Sequence, residues 1–315
     1  MRDLQRRLDA AGFQTDESEV AEFDAPTGRA VAEFQAARGL HRSGICDEAT
    51  WLALVEASWK LGDRWLKLSS PYIRGDDVDQ LQTALLRLGF DCGRPDGIYG
   101  PLTVRAVQRF QRNSGMQSDG VCGPDTVRLL LMNSRQTGDG PGVAMLREMT
   151  GLSAVRHDVE DVRIVVGQFG GLSALTRQVS RALRQHAANV LTIDEPDPSV
   201  QAAVANRHRA TAYLGFEASG NERCTVSYFA APTFESVGGR ALAERLAERI
   251  SANAHLPFAS SAEGMRVAVL RETRMPAVLC SLWPVRDVLA GAPVLADVVV
   301  EAVLAWTGAP STLSS

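Results

Sequence analysis

Apolar positions in the first part of the chain recur at helical spacing, and the pattern occurs twice. Leu4, Leu8 and Phe13 in "LQRRLDAAGF" match Leu81, Leu85 and Phe90 in "LQTALLRLGF". "TGRAVAEFQAARGLHRSGICDEATWLAL" from Thr27 matches "TVRAVQRFQRNSGMQSDGVCGPDTVRLL" from Thr103. The offset is 77 residues in the first block and 76 in the second, so one residue is lost in the loop between them. Each copy predicts three helices with a small core built from positions such as Phe34, Val107, Phe110 and Leu130. Thr103 is the expected N-cap of the second helix in copy two, and Pro124 or Asp125 the expected start of the third. From Val162 onward the pattern changes to short apolar runs alternating with amphipathic stretches, which predicts an α/β sheet with helices on both faces. The predicted strands are "VRIVVG", "NVLTID", "TAYLGFEA", "RCTVSYFAA" and "PAVLCSLWP", with strand character also in "GMRVAVLRET". The closing helix is "ADVVVEAVLAWTG".

These patterns divide the chain into a repeat over 1–57, a connector over 58–75, a second repeat over 76–133, a linker over 134–160, an α/β domain over 161–308 and a tail over 309–315. The connector is rich in Trp, Leu and Tyr and is expected to pack against both copies. The linker begins Gly-rich and polar, as a partly flexible joint would.

Composition narrows the class. Hydrophobic residues make up 45% and charged residues 22%, a globular balance. The net charge of −4 gives no overall pull toward nucleic acid or anionic membranes. The most apolar stretch, Pro293 to Trp306, is too short to span a bilayer and carries Asp297 and Glu301. The N-terminus is a charged amphipathic pattern rather than a secretory leader, so the expected location is the cytoplasm; Met1 falls on the helical pattern with no cap before it. Five widely spaced cysteines without a CxxC pair predict buried free thiols.

The Gly-rich turn after the first predicted strand, "VVGQFGG", raises a chemical question. Such a turn lets a backbone approach a ligand or metal. Between Val162 and Gly171, however, no His, Asp, Glu or Cys is available to bind one.

Two resemblances bear on this. "DGIYGPLTVRAVQRFQRNSGMQSDGVCGPDT" resembles the peptidoglycan-binding type 1 domain of bacterial cell-wall hydrolases, with its DG, F-Q and second DG signals in order. Copy one is degenerate, with Val20 or Ala21, Asp24, Gly44 and Asp47 at the places of Gly97, Gly100, Gly120 and Gly123. The resemblance implies that a glycan or peptide ligand would contact copy two near Tyr99 and Asp119, with Gly97 and Gly100 shaping the loop. Residues 161–308 resemble the N-acetylmuramoyl-L-alanine amidase type 3 domain, a zinc enzyme whose strand-end D-P-G-H-G-G supplies a metal-binding His. Setting Gly170 and Gly171 on that GG places Val166 at the family's Asp and Phe169 at its first zinc His. Glu217 in "GFEAS" then replaces the second His, and Ser281 in "LCSLWP" replaces the catalytic Glu.

A catalytic zinc site takes three nitrogen, sulfur or carboxylate ligands. Only Glu217 remains of the set that the resemblance assigns. His41, His157, His186, His208 and His255 have no metal-ligand spacing with one another. The domain is therefore expected to hold no metal cofactor and to be inactive, with Phe169 filling the lost site against Phe216 or Trp283. The alternative is a working zinc amidase that cleaves the muramoyl-peptide amide bond.

Together these features resemble the CwlM-type amidase-like regulators of actinobacterial peptidoglycan synthesis. That resemblance implies a cytoplasmic, non-catalytic protein that binds peptidoglycan or muropeptide precursors. Its implied protein partners are the UDP-N-acetylglucosamine enolpyruvyl transferase and the lipid II flippase. Nucleic-acid binding and membrane insertion are not expected. The tail after Gly308 is shorter than the one that group uses for phosphorylation-linked control, although it carries Ser311, Thr312, Ser314 and Ser315.

Overall fold

The computed structural model describes residues 1–15, 22–134, 143–155, 162–186, 189–220, 222–231 and 234–310. Val20, Ala21, His157 and the four hydroxyl residues of the tail lie outside the described residues. The chain divides into two compact units, Met1–Leu146 and Arg147–Ser315.

The first unit is helical. Copy one comprises α1 (Arg2–Ala10), α2 (Ala25–Ala37) and α3 (Glu48–Ala57); copy two comprises α4 (Asp76–Arg87), α5 (Pro101–Asn113) and α6 (Pro124–Ser134). Leu4, Leu8, Val31, Phe34 and Leu54 form the core of copy one. Leu81, Leu85, Val107, Phe110 and Leu130 are buried in copy two. The same edge-to-face aromatic pair sits in each: Phe13 on Phe34 at 5.5 Å and Phe90 on Phe110 at 5.6 Å. α6 starts at Pro124, one of the two expected positions, but the start of α5 differs from the sequence expectation. α5 begins at Pro101, because proline's fixed φ suits the first helical turn, and Thr103 lies inside the helix with its hydroxyl turned to the Ile98 carbonyl. Asp24 and Asp47 cap α2 and α3 by accepting from the Thr27 and Thr50 amides.

The connector is ordered. Leu66 and Cys122 exchange backbone hydrogen bonds of 3.1 and 2.8 Å, and the Tyr99 amide donates to the Ile73 carbonyl. Ser58 accepts from Arg7 of α1, and Arg38 of α2 pairs with Asp76 of α4 at 2.7 Å.

The connection expected over 134–160 holds a helix, α7 (Val143–Val155), so it is not a linker throughout. Leu152 of α7 is buried in the core of the second unit. Glu148 accepts from the Ser236 hydroxyl and the Gly238 amide at the start of α10 (Val237–Ala252). A carboxylate at a helix N-terminus meets unpaired amides and the positive end of the macrodipole, which explains the docking.

The second unit is α/β with a mixed sheet. Its strands are β1 (Arg163–Phe169), β2 (Asn189–Ile193), β3 (Ala212–Ala218), β4 (Cys224–Ala231), β5 (Phe234–Glu235), β6 (Ser260–Met265) and β7 (Ala277–Leu282). They run in the order β2-β1-β3-β7-β4-β5, with β6 also paired to β4. The β2-β1-β3-β7 half is parallel, and β4 runs antiparallel to β7. In the stretch read as having strand character, 264–273, β6 ends at Met265 and α11 (Ala268–Glu272) follows. A short α12 (Val285–Ala290) precedes α13, which spans Ala292–Gly308.

Strand alternation sorts the two faces. Ile164, Val166, Leu214, Phe216, Val278 and Cys280 share one core with α8 (Ser173–Leu183), α10 and α13. On the other face lie Val165, Gly167, Tyr213 and Gly215, with α9 (Pro198–Arg207) across them. Trp306 closes the first face, fully buried, its indole donating to the Gly238 carbonyl at 3.0 Å.

Candidate functional site

Three neighbouring parallel strands, β1, β3 and β7, end at the same edge of the sheet. Phe169 is in register with Glu217, and Glu217 with Ser281. Partners in register share a face, so the three positions singled out in the sequence are brought together on the α9 side. The Ser281 hydroxyl donates to Glu217 Oε1.

Phe169 does not pack as expected. Phe216 is the strand neighbour of Glu217, so alternation turns it to the opposite face, into the core. Trp283 is 37% exposed and is held through its backbone, which exchanges hydrogen bonds with the Cys224 thiol. No ring pair involves Phe169 among the described residues. The side chain is half-buried rather than enclosed.

The glycine turn keeps its shape for reasons inside the protein. Gly170 and Gly171 have φ of +76° and +85°, where a side chain is strained. A Cβ on Gly167 would lie 1.9 Å from Gln201 Oε1 and 2.5 Å from the Tyr213 hydroxyl. A network of side-chain amides occupies this ground. Gln168 Oε1 accepts from the Leu172 amide at 2.9 Å, and its Nε2 donates to Asp194 Oδ1. Ser173 donates to Asp194 Oδ2 at 3.0 Å. Gln201, fully buried, donates to the carbonyls of Gln168 and Glu195 and accepts from the Tyr213 hydroxyl at 2.7 Å. Burial, and secondarily the charge of Glu217, pushes the Tyr213 phenol above its ordinary range, so it stays a neutral donor.

These residues do not fit zinc. Phe169 has no donor atom, Ser281 is a neutral hydroxyl spent on Glu217, and both oxygens of Asp194 are already hydrogen-bonded. Among the described residues no group of three His, Cys, Asp or Glu side chains is placed to hold a metal ion.

The candidate ligand residues of copy two have other tasks. Tyr99 is fully buried, and its hydroxyl donates to the Gly120 carbonyl at 2.9 Å, so it supports the loop from within instead of meeting a ligand. Gly97 is buried with φ of +70°. Gly100 has φ of −94°, an ordinary extended value, so its lack of a side chain is not a backbone requirement. Asp119 is exposed, and its Oδ1 accepts from the Val121 amide and Gln111 Nε2. The hydrogen bond donated by the Val121 amide, then that from Gln111, holds its carboxyl below the usual carboxylate value.

A feature that sequence reasoning missed organises these loops. Gln111 donates to Asp119 Oδ1, the Val121 carbonyl and Thr126, and accepts from the Gly120 amide at 2.9 Å. Gln82 does the same with Asp96, the Ile98 carbonyl, Thr103 and the Gly97 amide. Gln35 repeats it in copy one with Ser43, Ile45, Thr50 and the Gly44 amide. The signal was present: "DGIYGPLT" and "DGVCGPDT" inside copy two share five of eight residues, and each is clasped by a glutamine on a preceding helix.

The two helical repeats of the first unit match a known family. Residues 1–54 and 74–130 match the peptidoglycan binding domain family. The chain is 40% identical over 151 residues to N-acetylmuramoyl-L-alanine amidase CwlM of Mycobacterium tuberculosis, covering 47% of this chain and 37% of that protein. It is 35% identical over 144 residues to the amidase CwlL of Bacillus licheniformis, covering 39% of this chain and 40% of that one. The chain thus spans well under half the length of these curated relatives. Among solved structures, the amidase AmiC2 of Nostoc punctiforme aligns over 47% of this chain and 98% of its own, at 19% identity and a TM-score of 0.36.

Proposed function

We propose that this chain, in which two regions match the peptidoglycan binding domain family and which is similar to the amidase CwlM, is an amidase-like protein that acts without catalysis. In this reading it binds peptidoglycan or muropeptide precursors in the cytoplasm and regulates cell-wall synthesis by contact with synthesis proteins. The UDP-N-acetylglucosamine enolpyruvyl transferase and the lipid II flippase are the partners the family resemblance suggests.

The observation that carries the reading is the register of Phe169, Glu217 and Ser281. The strand edge that the amidase resemblance makes the metal site presents one phenyl ring, one carboxylate and one hydroxyl. A single carboxylate cannot replace three zinc ligands. The second carboxylate near this edge, Asp194, has both oxygens engaged by Gln168 and Ser173, which leaves neither of them free to take a proton from an attacking water. The neighbouring polar groups, Gln168, Gln201 and Tyr213, are engaged with one another and with backbone. On the binding side, Asp119 is the exposed member of the candidate ligand set.

Elemental analysis of the purified chain, together with incubation on peptidoglycan, tests the proposal. Zinc should be well below one per chain, and no stem peptide should be released. Stoichiometric zinc that disappears in Glu217→Ala, with peptide release, would establish the zinc-amidase reading instead.

A further inference from the structure

The two copies of the repeat differ in what lies on one face. In copy two the connector crosses that face and pairs with it antiparallel at two isolated points, Leu66 with Cys122 and Arg74 with Ile98. Leu66 exchanges two backbone hydrogen bonds with Cys122, the Tyr99 amide donates to Ile73, and the Trp65 ring stands against Gly123. Beneath it Val78, Tyr99 and Cys122 are fully buried and Val127 nearly so.

By the repeat offsets, the counterparts of Val78, Leu81, Tyr99, Val121, Cys122 and Val127 are Met1, Leu4, Phe23, Ile45, Cys46 and Trp51. Those six residues line an apolar groove of about 530 Å³. Phe23 is 45% exposed where Tyr99 is 0%, and Trp51 is 36% exposed where Val127 is 8%. The backbone amides of Cys46 and Phe23 find no partner among the described residues, whereas those of Cys122 and Tyr99 are both paired. The groove therefore combines an apolar floor with unpaired backbone groups along its edge, the two features that main-chain strand addition uses.

We propose that this groove binds an extended peptide strand of a protein partner. An aliphatic side chain would be seated opposite Cys46, as Leu66 is seated opposite Cys122. The occupant of copy two is the template for its chemistry: extended backbone, antiparallel to the residues around Cys46, with bulky apolar side chains on the inward face. The inference rests on the repeat and is independent of the fate of the strand edge in the second unit.

The test uses the full chain and a fluorescein-labelled peptide with the sequence of residues 63–75, DRWLKLSSPYIRG, followed by anisotropy. Saturable one-to-one binding is expected, weakened about tenfold or more by Ile45→Glu, a change at the groove's exposed edge. The peptide with Asp at the Leu66 position should bind equally poorly. Leu131→Glu, an exposed apolar position of α6 outside the groove, should leave binding unchanged, and thermal melts should confirm that both protein variants fold. Absence of saturable binding, or binding indifferent to Ile45→Glu, overturns the proposal. So does a concentration-dependent dimer in sedimentation that Ile45→Glu abolishes, because the groove would then belong to a second copy.

Discussion

Copy one and copy two of the N-terminal repeat reach the same three-helix plan with the same aromatic pair at the centre, yet they stabilise their loops by different means. Copy two clasps both of its loops with fully enclosed glutamines and covers them with the connector. Copy one retains the Gln35 clasp, but Gln5, the counterpart of Gln82, is only half-buried and donates to Glu22 and Thr27. In exchange, copy one has aspartate caps where copy two has glycine. Loss of the glycines at these two places is therefore not a loss of left-handed backbone. It replaces an uncapped helix start by a capped one; of the two loop glycines of copy two with φ of about +70°, Gly120 keeps a counterpart in Gly44, whereas Gly97 has none.

The contrast is sharpest at the glutamines. Gln82→Ala removes four hydrogen bonds at a 1% exposed site and strands the Gly97 amide, while the Ile98 carbonyl keeps the Gly100 amide as a donor. The stranded buried amide costs about 1–3 kcal/mol and each further lost hydrogen bond about 1 kcal/mol, so a loss of about 3 kcal/mol is expected. Gln5→Ala, half-buried, should cost about 1 kcal/mol or less. Denaturant unfolding of both variants, with hydrogen exchange reporting on residues 76–133, measures the difference. Equal losses would mean that the two copies do not differ in how their loops are held.

Next in size is the pair Tyr99 and Phe23. Tyr99→Phe deletes a buried hydroxyl and leaves the Gly120 carbonyl without its 2.9 Å donor, at a cost of about 1–2 kcal/mol. Phe23→Ala, at an exposed position, should change stability by about 0.5 kcal/mol or less. A large loss from Phe23→Ala in the free chain would mean that the groove of copy one is already filled.

What the sequence made legible follows the same physical lines. Leu8, Phe34, Leu85 and Phe110 at helical spacing revealed both cores, because apolar periodicity reports burial directly. Register brought Phe169, Glu217 and Ser281 together, as their places at three strand ends suggested. Tyr99 was misjudged because an aromatic ring with a hydroxyl suits a glycan surface and a buried hydrogen bond equally well, and only the neighbouring Gly120 carbonyl decides between them. Phe169 was misjudged because strand parity sends Phe216 away from it. The split of 264–273 into β6 and α11 was hidden because Val267, Val269 and Leu270 satisfy a strand pattern as well as a short buried helix.

The caps give a smaller effect. Asp24→Ala and Asp47→Ala each remove an acceptor for a first-turn amide and should each cost about 1 kcal/mol. Gly100→Ala should be close to neutral, since φ is −94° and nothing lies within 4 Å of the added Cβ. Thermal unfolding of the three variants checks this. A Gly100→Ala loss as large as that of either aspartate would show that copy two needs its glycine there after all.

The smallest effect separates the copies by pH. Asp119 stands where copy one has Ser43, and both side chains accept from their clasping glutamine or the amide two residues on. Only Asp119 titrates. The Val121 amide and then Gln111 lower its folded-state pKa, so the folded form binds the proton less readily than the unfolded chain does. The sign follows from linkage: the contribution is fully present above the unfolded carboxylate value of about 3.9 and is lost as pH falls through the folded value. The side chain is exposed, so solvent screening keeps the effect small. Asp119→Ser, which writes copy one's residue into copy two, should therefore lower the unfolding midpoint slightly at pH 7 and by less at pH 3. A gap that stays constant between the two pH values would assign Asp119 a purely geometric role, the one Ser43 already fills without a charge.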